Sequence, residues 1–320
     1  IPYTYFQMLQ MTGHETLLLK NINELLQSYN RTFMIRTTGD IGRAVLSNRF
    51  KRLDNLEVAE AVMKNMNINE LKVKEYAITL DQMYIKFINP TIYDEIEPGD
   101  VVNAGFMISN SETGMLQLNI AGFYERLVCK NGMVFSDVTG NFKMKHLGKA
   151  IYVDTDNEHY KELPSTRIND YDFWKYNAAI SQGLKNTVDN EKFLDAIRKM
   201  RNLKNVKIET TPTKAVNALG KMYNLAESEK ELIKKHYIED SVSNGLEAFG
   251  LMNAVTRSAQ DVTNYTRANK LEEIGGEMSE NIKVYTRYLR AILEKEKAKE
   301  NKNKKKEMTN LYTMMQTNIA

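Results

Sequence analysis

Residues 105–129 read "GFMISNSETGMLQLNIAGFYERLVC", and this stretch decides the fold. Apolar and polar side chains alternate on both sides of the polar segment 110–114, which is typical of two antiparallel strands joined by a turn. Gly114 is expected to supply the positive φ of that turn, because glycine has no Cβ to clash there. The stretch therefore predicts a long β-hairpin.

The sequence upstream of this hairpin predicts a second hairpin and two helices. "VKEYAITL" (73–80) and "DQMYIKFI" (81–88) alternate and predict strands that turn at Asp81 and Gln82. Leucines at helical spacing predict an amphipathic helix over 15–29. Residues 54–66 predict another, with Asp54 as its N-cap and a buried stripe of Leu56, Ala59, Val62, Met63 and Met66.

Downstream of about residue 164 the apolar residues recur at helical spacing. Gly275 and Gly276 predict the end of the longest of these helices, because glycine is the preferred residue after a helix C-terminus. The pattern predicts an α+β fold: a mostly antiparallel sheet in the N-terminal half with flanking helices, and a helical C-terminal half. The predicted domains are 1–160 (sheet-containing), 161–294 (helical) and 295–320 (a basic tail, helical or partly disordered).

The composition is that of a globular protein, with 42% hydrophobic and 27% charged residues in 320. We expect no membrane partner, since no run approaches the roughly 18 apolar residues that a bilayer span needs. A single cysteine predicts a reducing compartment, the cytoplasm. Residues 294–307 hold seven lysines against four glutamates, which accounts for the whole net charge of +3 and leaves the remaining chain neutral.

Catalytic and metal-binding patterns are weak in this sequence. No phosphate-binding loop and no zinc spacing occurs, and the acidic segment 154–159 lacks the glycine of a calcium loop. Cys129 alternates with Leu127 and is interpreted as a buried core thiol. We therefore expect no catalytic residue, no metal and no cofactor. An enzymatic role stays open, in the form of a hydrolase that would use Cys129, His146 and Asp137.

Two clusters of cations with aromatic residues between them predict a nucleic-acid-binding surface. Cations contact the phosphate backbone, and aromatic rings stack on unpaired bases. The first cluster follows residue 31 and contains Arg36, Arg43, Arg49, Lys51 and Arg52. The second surrounds the end of the long hairpin and contains Tyr124, Arg126, Lys130, Lys143, Lys145, His146 and Lys149. The alternative interpretation is that these cations are solvated and that the aromatic residues belong to the core.

Several segments resemble a phage- and plasmid-associated family catalogued as domain of unknown function 932. They are "AVLSNRFKRLDNLE" (44–57), the stretch 99–134 with its "NSETG" turn and "RLVCKN" strand end, "FKMKHLGKA" (142–150) and "GLEAFGLMNAVTRSAQDV" (245–262). The resemblance implies a mobile-element context and no defined activity. The order of sheet and helices is also loosely similar to that of single-strand annealing proteins.

The leading hypothesis is a phage- or plasmid-encoded protein that binds single-stranded DNA and anneals complementary strands as a ring or filament of its own copies. A second hypothesis is a phage–host interaction or structural protein whose helical half binds another protein through Met200, Met222, Met252 and Met278. The cysteine-dependent hydrolase is the third.

Overall fold

The computed structural model of the protein describes residues 3–29, 31–67, 70–127, 131–135, 142–146, 176–178, 180–182, 184–185 and 189–317. These residues form two compact units. The first unit contains the described residues up to Arg52 together with His146, and the second contains those from Leu53 to Lys145 and from Tyr176 onward. The predicted boundary between residues 160 and 161 lies outside the described residues and stays a prediction.

The first unit begins with two helices and ends in a two-stranded hairpin. Its elements are α1 (Tyr3–Met11), α2 (Glu15–Ser28), β1 (Phe33–Thr38) and β2 (Ile41–Ser47). The strands pair antiparallel, and the turn between them contains Gly39 with a φ of +56°, which glycine adopts without steric cost. The predicted helix over 15–29 is confirmed, although none of the residues of α2 is buried.

The second unit is built on an antiparallel sheet in the order β3-β4-β5-β6-β7, with β8 pairing to the first half of β6. The strands are β3 (Lys72–Ile78), β4 (Met83–Glu95), β5 (Val101–Asn110), β6 (Leu118–Arg126), β7 (Asn131–Phe135) and β8 (Phe142–Met144). Both predicted hairpins are present, and Gly114 has a φ of +80° in the turn between β5 and β6.

Helices cover both faces of this sheet. They are α3 (Asn55–Asn65), α4 (Asn190–Leu203), α5 (Pro212–Tyr223), α6 (Glu227–Asn244), α7 (Ala248–Ser258) and α8 (Tyr265–Thr317). Phe106 belongs to the core cluster that includes Val58 of α3, whereas Lys86 on the other face binds Glu272 of α8. Alternate residues of a strand point to opposite faces, so these helices lie on opposite sides. The predicted α+β fold, with antiparallel strands in the N-terminal half and a helical C-terminal half, is confirmed.

The buried face of α3 differs from the predicted one. Asp54 is the N-cap as predicted, and its backbone N–H donates to Glu57 Oε2 at 2.9 Å. The helix buries Val58, Ala61 and Val62, while Leu56 and Met63 of the predicted stripe are exposed. The helix has apolar residues on more than one side, and the side with the smaller residues packs against the sheet.

The prediction that Gly275 and Gly276 end a helix is wrong. Helix α8 begins after a short 3₁₀ turn (Ala259–Asp261) and continues through both glycines to Thr317, with non-helical backbone angles at Asn281. A Cβ at Gly275 would lie 2.2 Å from Thr256 Cγ2 of α7. Glycine is present at this position because the two helices approach closely, and not because the helix stops.

We expect Gly275→Ala to destabilise the protein by about 1–3 kcal/mol, since the added Cβ overpacks the contact with Thr256. The sign is diagnostic, because the same change in an open helix gains about 1 kcal/mol. Urea unfolding of the single variant and of Gly275→Ala/Thr256→Ser, which removes Cγ2, measures the effect and its relief. Gly220→Ala, whose Cβ would meet only the flexible Lys230 side chain, serves as the control. A stabilised Gly275→Ala protein would contradict this account.

Candidate nucleic-acid interface

The first predicted cation cluster lies on and after the β1–β2 hairpin of the first unit. Arg36 is in β1 and half-buried, and Arg43 in β2 is the extra residue of a β-bulge, a feature that re-aims side chains. Arg49 is exposed, and Lys51 and Arg52 are half-buried. The structure therefore brings the five predicted residues of this cluster into one short segment of one unit.

Charge is distributed unequally between this segment and the sheet. Residues 1–52 hold seven Lys and Arg against three Asp and Glu, whereas residues 53–145 hold eight against thirteen. Between residues 29 and 52 alone there are six cations and one acid. A polyanion is attracted where one sign of charge accumulates, so the hairpin segment is a better candidate surface than the sheet.

His146 has a structural position in the first unit. Its ring stacks on Phe50 with the centroids 5.2 Å apart, and both residues are buried. Its Nδ1 lies 3.2 Å from the Lys51 carbonyl oxygen, and the Lys51 N–H donates to the His146 carbonyl at 3.0 Å. Burial lowers the pKa of His146 and favours the neutral ring. A buried neutral imidazole does not attract phosphate, which corrects the prediction for this residue.

Of the four predicted lysines near the end of the sheet, the structure describes two. Lys143 on β8 and Lys145 directly after it are exposed and belong to the second unit. Lys130 and Lys149 lie outside the described residues, as do Cys129 and Asp137 of the hydrolase hypothesis.

Tyr124 and Arg126 do not lie on the predicted nucleic-acid-binding surface. Tyr124 is buried against Phe193 of α4, and burial raises the pKa of its phenol. Arg126 is only 7% exposed, and its Nε donates to Asp100 Oδ1 at 2.5 Å. Tyr124 and Arg126 alternate with Glu125 along β6 and share one side of the strand, but Phe193 of α4 and Phe249 of α7 cover that side. These two residues are therefore removed from the candidate surface.

The aromatic residues that lie between the cations in the sequence are mostly buried as well. Phe50, Phe123 and Tyr124 belong to the core, so they offer no face to a nucleobase. Tyr29, which the sequence analysis missed, is 59% exposed and makes an edge contact with Phe33, the centroids being 6.3 Å apart. Its position two residues before Arg31 was the signal that could have identified it.

The "NSETG" turn contacts the N-terminus of α3. Glu112 Oε1 accepts the backbone N–H of Asn55 at 2.9 Å, and the Asn110 side-chain amide donates to the Leu53 carbonyl at 3.1 Å and to Asn55 Oδ1 at 2.9 Å. A carboxylate at a helix N-terminus satisfies an amide that has no partner within the helix. Two of the sequence segments that carry the family resemblance therefore hold each other in place.

A third motif segment, 245–262, meets the segment 99–134 at Arg126. The Arg126 guanidinium pairs with Asp100, which is 3% exposed, and its Cζ lies 5.1 Å from the ring centroid of Phe249 on α7. Lys204 Nζ lies 5.2 Å from the same ring and pairs with Glu97. A planar guanidinium suits this combination of ion pair and ring contact. The residues have a packing function between sheet and helices.

A buried ionic cluster joins α8 to the sheet. Lys86 Nζ, on a residue 4% exposed, lies 2.8 Å from Glu272 Oε2 and 2.9 Å from Glu75 Oε2. Burial lowers the pKa of Lys86, but the attraction of Glu272 and Glu75 outweighs it and raises the pKa above its ordinary value. Gly132 makes room, because a Cβ there would lie 2.8 Å from Glu272 Oε1. Lys86 and Glu272 are enclosed and serve the fold, whereas Glu75 reaches the surface.

His236 is held by carboxylates of the protein itself. Its Nε2 lies 2.8 Å from Asp261 Oδ2, and its Nδ1 lies 3.4 Å from Glu239 Oε2. These contacts join α6 to the 3₁₀ turn that follows α7. In the part of the chain that the structure describes, no group of three His, Cys, Asp or Glu side chains is arranged to hold a metal ion.

The methionines of the second hypothesis lie mainly in the core. Met200, Met252 and Met278 are buried in the large cluster of the helical half, and Met222 is partly buried against it. They cannot provide the protein-binding surface that the sequence predicted. Within the described residues, no helix combines the length and the apolar character that crossing a membrane would require.

An antiparallel sheet enclosed by helices, with motif segments in mutual contact and buried apolar clusters between the layers, defines an α+β domain. The chain belongs to the family described as Domain of unknown function (DUF932), whose model matches residues 43–280. This confirms the resemblance seen in the sequence. Comparisons with curated proteins and with solved structures found no match.

Proposed function

We propose that this protein binds single-stranded nucleic acid through the cationic hairpin segment, defined as residues 29–52 of the first unit. The observation that carries the proposal is the concentration of six cations against one acid in this segment, whereas residues 53–145 have an excess of acids. Neutralising phosphates with Lys and Arg releases counterions and supplies most of the affinity in sequence-independent binding.

The form of the segment supports a single-stranded ligand. The hairpin is a two-stranded ribbon with exposed Ile35, Ile41 and Val45, so it presents apolar surface together with charge. Tyr29 adds an exposed ring at the start of the segment, where an unpaired base could stack on it. Paired bases in a duplex do not offer that face.

We further propose that several copies act together on one strand and anneal complementary strands, as the mobile-element resemblance suggests. Helix α2 supports self-association, because it buries none of its residues and exposes Leu17, Leu19 and Leu25. Exposed apolar surface of this kind is typical of interaction sites.

The test is fluorescence anisotropy of a labelled oligothymidylate over a range of salt concentrations, with molar mass measured with and without the oligonucleotide. For a hairpin variant, Arg31→Gln/Arg43→Gln/Arg49→Gln, we expect at least tenfold weaker binding. The slope of log K against log salt should fall by about 2, because each lost phosphate contact on a single strand contributes about 0.7.

A matched control removes the same charge from the helical half: Arg198→Gln/Lys221→Gln/Lys235→Gln, all exposed residues. It should bind like the wild type. Equal losses in both variants would show that only net charge matters, and equal affinity for a duplex of the same length would contradict the single-strand preference. Wild-type protein that fails to bind the oligonucleotide would refute the proposal.

A further inference from the structure

Helix α8 consists of a packed part and an arm. Its backbone leaves helical geometry at Asn281 (φ −126°, ψ 38°), and the arm runs from there to Thr317. Tyr285 and Leu289 of the arm are buried, and the Tyr285 hydroxyl donates to the Ala215 carbonyl of α5 at 3.0 Å. Lys214 of α5 also pairs with Glu296 at 3.4 Å. One face of the arm is therefore anchored to the helical core.

The opposite face of the arm carries a basic stripe. Positions 283, 287, 290, 294, 297, 301 and 304 are spaced alternately by four and three residues and share one side of the helix. Five of them are exposed cations, and the other two are Glu294 and Asn301: the cations are Lys283, Arg287, Arg290, Lys297 and Lys304. The periodicity begins at Lys283, well before the lysine-rich segment 294–307 that is evident in the sequence.

None of the five cations forms an ion pair within the described part of the chain. Like charges three and four residues apart on a helix repel each other. Glu294 lies between Arg290 and Lys297 and offsets part of this repulsion, but Lys283, Arg287 and Arg290 follow one another with no acid between them on the stripe. Glu296 pairs with Lys214 on the anchored side. A stripe of this kind gains from an external anion that neutralises it.

The shape of the stripe favours a linear polyanion. At 1.5 Å per residue the stripe is about 32 Å long, and its positions follow one another at intervals of about 5 Å. Cations occupy all of these positions except Glu294 and Asn301. A nucleic-acid strand repeats its phosphates regularly along such a length. An anionic membrane fits less well, because residues 294–304 contain a single apolar residue, Ala298, and so have no apolar face to insert into lipid.

We propose that the basic stripe of α8 is a second site for a nucleic-acid phosphate backbone, in addition to the cationic hairpin segment. The choice of ligand rests on the proposed function, but the site itself does not, since it lies in the second unit and uses none of the hairpin residues. It binds phosphates by charge alone and adds affinity without base preference.

The test compares two triple variants that lose the same charge from the same arm. The stripe variant is Arg287→Gln/Arg290→Gln/Lys297→Gln, and the flank variant is Lys295→Gln/Lys299→Gln/Lys302→Gln, whose residues are exposed on another side. With labelled oligothymidylate, we expect the stripe variant to bind at least tenfold more weakly, with a salt slope lower by about 2. The flank variant should keep affinity and slope close to those of the wild type. Circular dichroism of both confirms that the arm stays helical.

Each outcome separates this inference from the proposed function. If the stripe variant loses affinity for oligothymidylate and the hairpin variant does not, the stripe site is supported and the hairpin site is refuted. If only the hairpin variant loses affinity, the stripe site is refuted. If the stripe and flank variants lose affinity equally, binding depends only on the net charge of the arm and not on the stripe, and the inference is overturned. Wild-type protein that ignores oligothymidylate but binds polyglutamate through the stripe residues would assign the stripe to an acidic protein partner and would also overturn it.

Discussion

Lys86→Met will lower the free energy of unfolding by about 3–5 kcal/mol, the cost of removing one partner from a buried ion pair. The change leaves Glu272 enclosed between α8 and the sheet without its cation. Glu75 loses the same partner but is 44% exposed at its side chain, so water replaces the lysine there. Nearly all of the effect therefore arises from the uncompensated charge of Glu272. Urea denaturation followed by circular dichroism measures it.

The double variant Lys86→Met/Glu272→Leu distinguishes the cost of leaving one buried charge unpaired from the net contribution of the ion pair to stability. It removes both charges and fills the site with apolar side chains, and such replacements are often neutral or stabilising by 1–4 kcal/mol. We therefore expect it to recover most of the stability lost in the single variant. As a control, Lys207→Met breaks a partly exposed pair with Glu247 and should cost less than about 1 kcal/mol. Indistinguishable losses at Lys86 and Lys207 would disprove the role of burial.

The strands could be predicted from the sequence because alternation is a local property of the chain. Alternation identifies two sides of β6 but not what covers each side, since that depends on helices that begin more than sixty residues downstream. This is why Tyr124 and Arg126 were assigned to the nucleic-acid-binding surface although both are buried. A charged residue in a strand has the same pattern whether water or a buried carboxylate faces it. The pairs of Arg126 with Asp100 and of Lys86 with Glu272 were not predictable for that reason.

Errors in the helical half have a similar origin. Glycine has two common uses in helices, as a stop signal and as a point of close approach, and the sequence near Gly275 does not distinguish them. In α3 both candidate stripes are apolar, and only the sheet surface selects the one with Val58, Ala61 and Val62. The hairpin cations were predictable as a group, because charge accumulation along a short segment needs no tertiary information.

The family motifs acquire a physical meaning from these contacts. Glu112 and Asn110 hold the start of α3, and Arg126 joins Asp100 of the sheet to Phe249 of α7. Within the described residues, these side chains of the matched region thus connect the sheet to the helices through hydrogen bonds, an ion pair and a ring contact. The cations proposed to bind nucleic acid lie mainly outside these contacts, on the hairpin segment and on the arm of α8. Fold and proposed function are therefore separable by mutation.

Arg126→Leu is the sharpest test of that separation. We expect it to lower the free energy of unfolding by about 3–5 kcal/mol, because Asp100 is left buried and without its cation. Arg126→Lys should lose less, since it keeps the charge but not the planar guanidinium that contacts the Phe249 ring. The affinity for oligothymidylate per folded molecule should equal that of the wild type in both variants. Unfolding curves and anisotropy titrations on the same samples measure the two quantities.

Arg198→Leu provides the comparison, because Arg198 is exposed and pairs only with Asp195 one turn away on α4. Its loss should cost less than about 1 kcal/mol. An Arg126→Leu protein as stable as Arg198→Leu but several-fold weaker in binding would return Arg126 to the nucleic-acid surface. The structure predicts the opposite result, because a guanidinium that is enclosed by Asp100 and Phe249 stabilises the fold and has no exposed charge for a phosphate to reach.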